Sequence, residues 1–211
     1  MTAKIKLNSA SGGGSISIQA PSSSSNNRVI SLPDIADGTL LTSQSTLDST
    51  KLSPAIAAGI TEFDSWRISS NYAVSNGYGN FITANWERDD TVFEKIGTGL
   101  SESSGVFSFP STGKYLVNFS FNLYRGSAAS YLGCYILVST DSGSNFTRRT
   151  ESFTSTGNGD YEQLTSYKMI DVTSTNFRIK FELEVQGDAT VARGDSNSNR
   201  TGFTCMRLGD T

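Results

Sequence analysis

Hydrophobic and polar residues alternate most clearly between residues 104 and 124 of this 211-residue chain. Over 115–123 the odd-numbered positions hold tyrosine, valine, phenylalanine and leucine, and the even-numbered positions are mainly asparagine and serine. A period of two predicts a strand with one face on a core. A shorter alternating run at 106–109 precedes it, and Pro110 and Gly113 mark a turn between the two runs. The pattern therefore predicts a β-hairpin.

Similar alternation continues to the end of the chain, and no helical period occurs after residue 62. At 177–185 the odd positions are apolar, and Glu182 and Glu184 fall in a charged row expected to face solvent or another subunit. Many short antiparallel strands with turn signals predict an all-β jelly-roll sandwich. Besides the hairpin, the expected strands are 65–69, 80–86, 93–97, 131–139, 146–154, 161–172, 177–185 and 202–208.

Residues 1–62 differ from the rest because they are rich in serine, threonine, asparagine and glycine. Such short strands cannot bury a core of their own. The segment is either a disordered linker or a shaft that pairs with its own copies or a larger assembly, and the strand–turn rhythm favours the shaft. Expected here are strands at 5–7, 16–18, 29–32 and 40–41, and a short helix at 49–59.

Three regions follow from these patterns. Residues 1–62 are the predicted anchor or shaft, 63–79 a connector, and 80–211 the jelly-roll head. Cys134 and Cys205 are expected to be core thiols. The alternative, if their strands are neighbours, is a disulfide bond between them.

Composition restricts the function. The net charge is −3 with no block of lysine or arginine, which argues against nucleic acid and against an anionic membrane surface. No apolar run is long enough to insert into a membrane, and the first residues lack the apolar stretch of a secretory signal. The chain has no histidine, which removes the usual general base near neutral pH. An enzyme is therefore not expected.

Two stretches resemble known families. Residues 12–42 (GGGSISIQAPSSSSNNRVISLPDIADGTLLT) are similar to repeats in structural proteins of tailed bacteriophages, marine ones especially. The FEKI run at 93–96, the GVFSFPSTG run at 105–113, the strand at 115–121 and the TGF run at 201–203 occur in that order. This order resembles the globular head of complement C-one-q and its tumour-necrosis-factor-like relatives.

The head resemblance implies a jelly roll that forms homotrimers at the end of a stalk. No collagen-like Gly-X-Y period occurs, and the phage-type segment stands in that place. Together the resemblances imply a virion fibre protein, attached to other virion proteins through residues 1–62. Its head would adhere to a glycan or protein of the host surface. A purely structural decorating or connecting fibre is the alternative, and a capsule depolymerase and a cytokine-like ligand are disfavoured.

Strand parity predicts which loops face outward. If the end bearing the C-terminus is the base, the long loop at 186–200 lies at the tip, where binding residues are usual on a rigid scaffold. No cofactor is expected. The segment with Asp195, Asn197 and Asn199, and with Asp188 nearby, is read either as an ordinary Asx turn or as a calcium site. The exposed tyrosines either bind ligand or pack between subunits. The candidate receptor-binding residues are Arg125, Tyr131, Asp160, Tyr161, Asp188, Arg193, Asp195 and Asn197.

Overall fold

The computed structural model describes residues 4–8, 11–19, 59–125, 129–156, 161–187 and 190–211. The chain divides into two compact units, Met1–Thr46 and Leu47–Thr211. Across the described ranges every regular element is a strand, and none of them contains a helix that could cross a membrane. The expected all-β class is therefore confirmed.

The first unit contains an antiparallel pair, β1 (Lys4–Asn8) and β2 (Ser15–Gln19). Their register pairs Ile5 with Ile18 and Leu7 with Ile16. The strands predicted at 5–7 and 16–18 are confirmed. Those predicted at 29–32 and 40–41, and all of the predicted helix except Gly59, lie outside the described residues.

The second unit is a sandwich of two antiparallel sheets. Its strands are β3 Phe63–Ile68, β4 Tyr72–Val74, β5 Gly77–Phe81, β6 Trp86–Arg88, β7 Lys95–Ile96, β8 Ser101–Ser103, β9 Val106–Ser108, β10 Gly113–Arg125, β11 Ala129–Ser139, β12 Thr147–Thr156, β13 Tyr161–Val172, β14 Arg178–Val185, β15 Thr190–Ala192 and β16 Gly202–Gly209. The eight-stranded sheet has the order β4-β15-β10-β16-β3-β6, with β13 also paired to β10 and β7 to β3. The six-stranded sheet has the order β12-β11-β14-β9-β8, with β5 paired to β14.

The core lies between the sheets and is rich in phenylalanine. Phe181 of the six-stranded sheet meets Phe119 and Phe203 of the other, with ring centroids 4.5 Å apart in both pairs. All three rings are buried. Burial of one such side chain contributes about 2–3 kcal/mol, so the alternation read along β10 and β14 corresponds to the main stabilising contact between the sheets.

The hairpin predicted around residue 110 is wrong. β9 pairs with β8 and β14 in the six-stranded sheet, whereas β10 belongs to the eight-stranded sheet. The turn after Pro110 therefore carries the chain across the core from one sheet to the other. Both strands have an apolar inner face, and a sequence pattern alone does not distinguish a hairpin from such a corner.

The segment 63–79, expected as a connector with one strand at 65–69, contributes two strands to the eight-stranded sheet. β3 confirms the predicted strand and lies between β16 and β6, and β4, which was not predicted, pairs with β15 at the end of the sheet. β3 carries two charged residues, Asp64 and Arg67, and both are buried. Arg67 donates hydrogen bonds to Glu87, Asp89 and Asp90 in the segment that follows β5.

The two cysteines are free and buried, which confirms them as core thiols. Cys134 lies on β11 and Cys205 on β16, so they belong to different sheets. Burial raises the pKa of the Cys134 thiol to about 12 and also raises that of Cys205. Neither thiol is therefore suited to nucleophilic chemistry at neutral pH.

Candidate functional site

The strand ends separate into a tip and a base, as strand parity predicts. At the tip the register pairs Tyr124 with Tyr161, and Ala129 with Thr156. At the base it pairs Gly113 with Val172. The C-terminal strand reaches the base, where Lys114 faces Gly209. The chain enters β3 at this same end, because Phe63 pairs with Met206.

Arg125, a predicted site residue at the tip, is fully buried. It continues the inward-facing odd positions of β10, and its Nη1 donates to the carbonyl oxygen of Gln186 at 3.0 Å. Arg125 therefore packs the loop end from inside and cannot touch a ligand, which corrects its assignment. Two other predicted residues, Asp160 and Asp188, lie outside the described residues.

Tyr161 and Arg193 do come together at the tip. The guanidinium carbon of Arg193 lies 4.5 Å from the centroid of the Tyr161 ring, and the Tyr124 ring lies 5.0 Å from the same ring. Arg193 is held by Asn122, whose side-chain oxygen accepts from Nη1 at 3.2 Å. We call Asn122, Tyr124, Tyr161 and Arg193 the tip cluster. A stacked arginine beside exposed tyrosine faces offers both apolar surface and hydrogen-bond donors.

Asp195 and Asn197 form a separate turn. The Asp195 carboxylate pairs with Arg200 at 2.7 Å and accepts from the Asn197 main-chain N–H at 2.8 Å. Asn199 turns its amide to Asp89 at 2.8 Å. These contacts are those of an Asx turn. Within the described ranges no three carboxylate or cysteine side chains are grouped as a metal site.

Tyr131 lies on the six-stranded sheet, away from the tip cluster. Its hydroxyl donates to Glu184 Oε1 at 3.1 Å. This hydrogen bond to the carboxylate raises the pKa of Tyr131, with burial as the smaller cause. The predicted site residues thus divide between two surfaces.

The outward face of the eight-stranded sheet is aromatic and lightly charged. Tyr167 is 70% exposed and Met169 is 59% exposed, and the register places them beside Asn118 and Leu116 on the same face. Leu116, Tyr167 and Met169 form what we call the aromatic face, and Tyr124 and Tyr161 of the tip cluster continue this side of the sheet at its tip end. Sequence reasoning did not single out Tyr124, Tyr167 or Met169. The alternation along β13 was sufficient to place its odd residues outward.

A shallow cavity of about 110 Å³ lies on the same side of this sheet, nearer the tip. Ser65, Asn118, Ser120 and Thr204 line it with Arg200 at the rim. Trp66, Gly202 and Phe203 also line it, and more of its accessible surface is apolar than polar. The sheet therefore offers a broad surface with one small depression.

The outward face of the six-stranded sheet is ionic. Arg148 donates to both carboxylate oxygens of Glu182, from Nε at 2.9 Å and from Nη2. The Gly79 N–H also donates to Glu182, at 2.8 Å. Glu182 is only 2% exposed, which corrects the expected solvated row. The burial has a simple cause: β5 and the Arg148 side chain cover this part of β14.

An aromatic layer supports these ions. The Arg148 guanidinium carbon lies 4.0 Å from the centroid of the Tyr135 ring, whose hydroxyl donates to Glu184. Burial and then this hydrogen bond raise the pKa of Tyr135. The Phe153 ring lies 5.8 Å from that of Tyr135. We call Tyr78, Tyr135, Arg148, Phe153, Glu182 and Glu184 the ionic face.

Comparison with solved structures identifies the fold. Eiger TNF from S. frugiperda is similar, with a TM-score of 0.57 and 10% identity, over 72% of this chain and 96% of that chain. Two crystal structures of murine APRIL, at pH 8.5 and pH 8.0, match with TM-scores of 0.50 and 0.51. Their identities are 12% and 11%, and each covers 70% of this chain and 98% of that chain.

No family model and no curated protein sequence matches the chain. The resemblance of residues 12–42 to phage repeats therefore stays a prediction. At the identities found, the structural likeness concerns the fold alone. The second unit has an antiparallel jelly-roll fold similar to that of the TNF-like proteins, which confirms the fold class predicted for the head.

Proposed function

We propose that the chain is a structural fibre protein of a tailed bacteriophage virion. Its sandwich is the distal head of a homotrimer, and the tip of the head adheres to the host surface. The observation that carries this proposal is the exposed aromatic face, which a single head leaves in water.

The aromatic face suits contact with other copies of the head. Contiguous exposed apolar surface marks interaction sites, and tyrosine and methionine are enriched at protein interfaces. The long strands β12 and β13 each pair with a single neighbour, β11 and β10, and so are edge strands of their sheets. They meet each other at one side of the sandwich, where the Ser152 hydroxyl donates to the Thr165 carbonyl oxygen at 2.8 Å and the Thr150 and Ser166 hydroxyl oxygens lie 2.9 Å apart. Edge strands are usually covered further in stable assemblies. A closed three-fold ring would cover an edge of one head with the face of the next.

The path of the chain supports a fibre. β3 begins and β16 ends at the base, so the chain enters and leaves the sandwich at the end opposite the tip. The register of β1 and β2 pairs Ile5 with Ile18 and Leu7 with Ile16. A lone hairpin is at best marginal in water, so it needs a partner. Residues 1–62 therefore anchor the fibre on other virion proteins.

The tip cluster supplies the adhesive chemistry. Tyr161 is 60% exposed, and Arg193 lies across its ring with Tyr124 alongside. Tyrosine and arginine dominate binding energy in many interfaces. Three equivalent tips would bind a repetitive glycan or protein surface with avidity, which converts weak single-site contacts into firm attachment.

Assembly is tested first. Sedimentation of the purified chain is expected to give three times its mass of 22.6 kDa. The double variant Tyr167→Asp, Met169→Asp places charge on the aromatic face and is expected to sediment as a monomer. Tyr78→Asp, on the other sheet, is the matched control and stays trimeric. A monomeric wild type, or an assembled double variant, would refute the trimer.

Attachment is tested on particles and cells. Immunogold labelling of virus particles that contain the chain is expected to mark fibre ends. Fluorescent wild-type fibre is expected to bind host cells and to compete with infection, and the double variant Tyr161→Ala, Arg193→Ala is expected to lose both properties while staying trimeric. Labelled particles without cell binding would reject adhesion and leave a structural fibre. Unlabelled particles would reject the virion location.

A further inference from the structure

We propose that the ionic face of the six-stranded sheet binds a neutral glycan, with aromatic rings packing on a sugar ring and Arg148 donating to its oxygens. This site goes beyond the proposed function. It needs only one head, and it lies on the opposite side of the sandwich from the aromatic face.

Exposed rings border the site on two sides. Tyr78 is 78% exposed and Phe153 is 51% exposed. The Arg148 guanidinium carbon lies 5.9 Å from the Tyr78 ring and 4.0 Å from the Tyr135 ring, which in turn is 5.8 Å from Phe153. The guanidinium and the rings thus form one continuous row. The flat C–H face of a pyranose matches such surfaces, since aromatic faces combine apolar area with a partial negative charge.

Arg148 has donors left for a ligand. Its Nε and Nη2 are committed to Glu182. Its Nη1 is 4.0 Å from Glu184 Oε2, beyond hydrogen-bond distance, and the side chain is 39% exposed. The Nη1 N–H groups are therefore not committed to Glu182, and they belong to a partly exposed guanidinium that stacks on Tyr135 and lies near Tyr78. A sugar hydroxyl or ring oxygen can accept from them.

The site is already in its binding geometry. Glu182 holds Arg148 by two parallel hydrogen bonds, and stacking on Tyr135 fixes its plane. The Phe153 ring lies directly over Gly133, where a Cβ would come within 2.6 Å of Phe153 Cε1. A glycine at this position lets the ring lie against β11. Groups that are fixed before binding lose little entropy when a ligand arrives.

The charge on this face selects a neutral ligand. Glu182, Glu184 and the exposed Glu151 are balanced by Arg148, Lys180 and Arg178, and the last two alternate along the same face of β14 as the two glutamates of that strand. These charges sum to zero. A sulfated or otherwise polyanionic chain therefore finds no net positive charge on this face, whereas hydroxyl groups can donate to carboxylates and accept from Arg148.

The test uses saturation-transfer NMR on the full chain with methyl glycosides of glucose, galactose, mannose and N-acetylglucosamine as probes. At least one glycoside is expected to receive saturation from the aromatic protons, with a dissociation constant of about 1 mM for a single sugar. The double variant Tyr78→Ala, Phe153→Ala is expected to weaken that binding by at least about tenfold. Both side chains are exposed, so the variant should keep the thermal midpoint of the wild type.

Two control variants distinguish binding at the ionic face from binding at the aromatic face or between assembled heads. Tyr167→Ala removes a tyrosine of similar exposure from the aromatic face, and it is expected to bind the probe as the wild type does. The Tyr167→Asp, Met169→Asp variant is expected to keep glycoside binding even though it does not assemble. Absence of binding by all four glycosides, or unchanged binding by the Tyr78→Ala, Phe153→Ala variant, would overturn the proposal whatever the outcome for the trimer.

Discussion

The outward faces of the two sheets differ in how much of their aromatic surface is covered by other residues of the same head. Both are made by alternate residues of long strands, and both carry tyrosines. On the aromatic face, Tyr167 and Met169 are exposed to water beside Asn118 and Leu116. On the ionic face, Tyr135 is covered by Arg148, and the arginine is neutralised by Glu182. On the six-stranded sheet, residues of the same sheet cover the buried tyrosine, whereas on the eight-stranded sheet the aromatic face stays exposed in a single head.

This difference shows that strand alternation defines a face but not its use. A face closed by its own ion pairs contributes to the stability of the single head. A face left apolar contributes when something covers it. Substitutions on the ionic face should therefore act on the isolated sandwich, and substitutions on the aromatic face should act mainly on the assembly.

The largest effect is expected from Arg148→Ala. Loss of the guanidinium leaves the Glu182 carboxylate, whose side chain is only 3% exposed, without its charged partner. The free energy of unfolding should fall by about 2–3 kcal/mol. Urea denaturation measures it, with Arg149→Ala, an exposed neighbour, as the control expected to change it by less than about 0.5 kcal/mol. Equal effects of the two substitutions would show that the ion pair does not stabilise this face.

A smaller loss in the free energy of unfolding is expected when a methyl group is added at a glycine of either sheet. In Gly202→Ala the new Cβ would collide with the main-chain carbonyl oxygen of Trp66 on β3, so the strands must move apart. The cost should be about 2 kcal/mol. Gly133→Ala on the ionic face meets only the Phe153 ring, which is half exposed and can turn away, so its cost should be under about 1 kcal/mol. Thermal unfolding compares the two, and the reverse order would show that the Phe153 ring cannot move aside.

The aromatic face should barely affect the isolated head. Tyr167→Ala is expected to change the free energy of unfolding by less than about 0.5 kcal/mol when the chain is dilute and monomeric. At high concentration the wild type should gain stability from assembly and the variant should gain less. Scanning calorimetry at two concentrations measures both. A large loss in the dilute sample would mean that Tyr167 stabilises its own sheet.

The smallest effect concerns acid and the loop between β11 and β12. The Ser139 hydroxyl, the side-chain amide of Asn145 and the main-chain N–H of Asn145 all donate to the Asp141 carboxylate. These hydrogen bonds lower the pKa of that carboxyl from 3.8 to about 2. A folded-state pKa below the unfolded value means that the stabilisation is present above about pH 4 and is lost as the pH falls towards 2. Carbon NMR of the carboxyl measures the pKa directly. Asp141→Asn should remove this part of the acid dependence, and an Asp141 pKa near 3.8 would contradict the prediction.

The long strands could be predicted because their pattern repeats over many residues. β10, β13 and β14 alternate over 8 or more positions, so all three strands were predicted, and the inward faces of β10 and β14 were identified from the sequence. Strands of three residues, such as β4, β8 and β15, carry too few alternations to be recognised. The sequence pattern also does not reveal which strands pair with each other. The β9–β10 corner has the local sequence of a hairpin, and only the long-range pairing of β9 with β14 distinguishes it.

Site residues were predicted by loop position, which identified the tip but not side-chain direction. Arg125 follows the parity of β10 into the core, whereas Tyr161 follows the parity of β13 outward. Extending the odd–even alternation of each strand to its terminal residue at the tip would have separated them. Arg148 and Glu182 could not be paired from sequence, because β12 and β14 meet only through β11 and the two residues lie 34 positions apart along the chain.

The place of β16 has a consequence for how the protein is made. β10 forms its hydrogen bonds with β13, β15 and β16, all of which follow it in the chain, and β16 alone joins β10 to β3. During synthesis the aromatic strand β10 therefore has no sheet partner until β13 has left the ribosome, and its pairing with β16 waits for residues 202–209. Such late, long-range pairing is slow and leaves apolar surface open to aggregation. Translation that stops before residue 202 would leave β10 and β3 without the strand that joins them, so the eight-stranded sheet can form only after β16 has been synthesised.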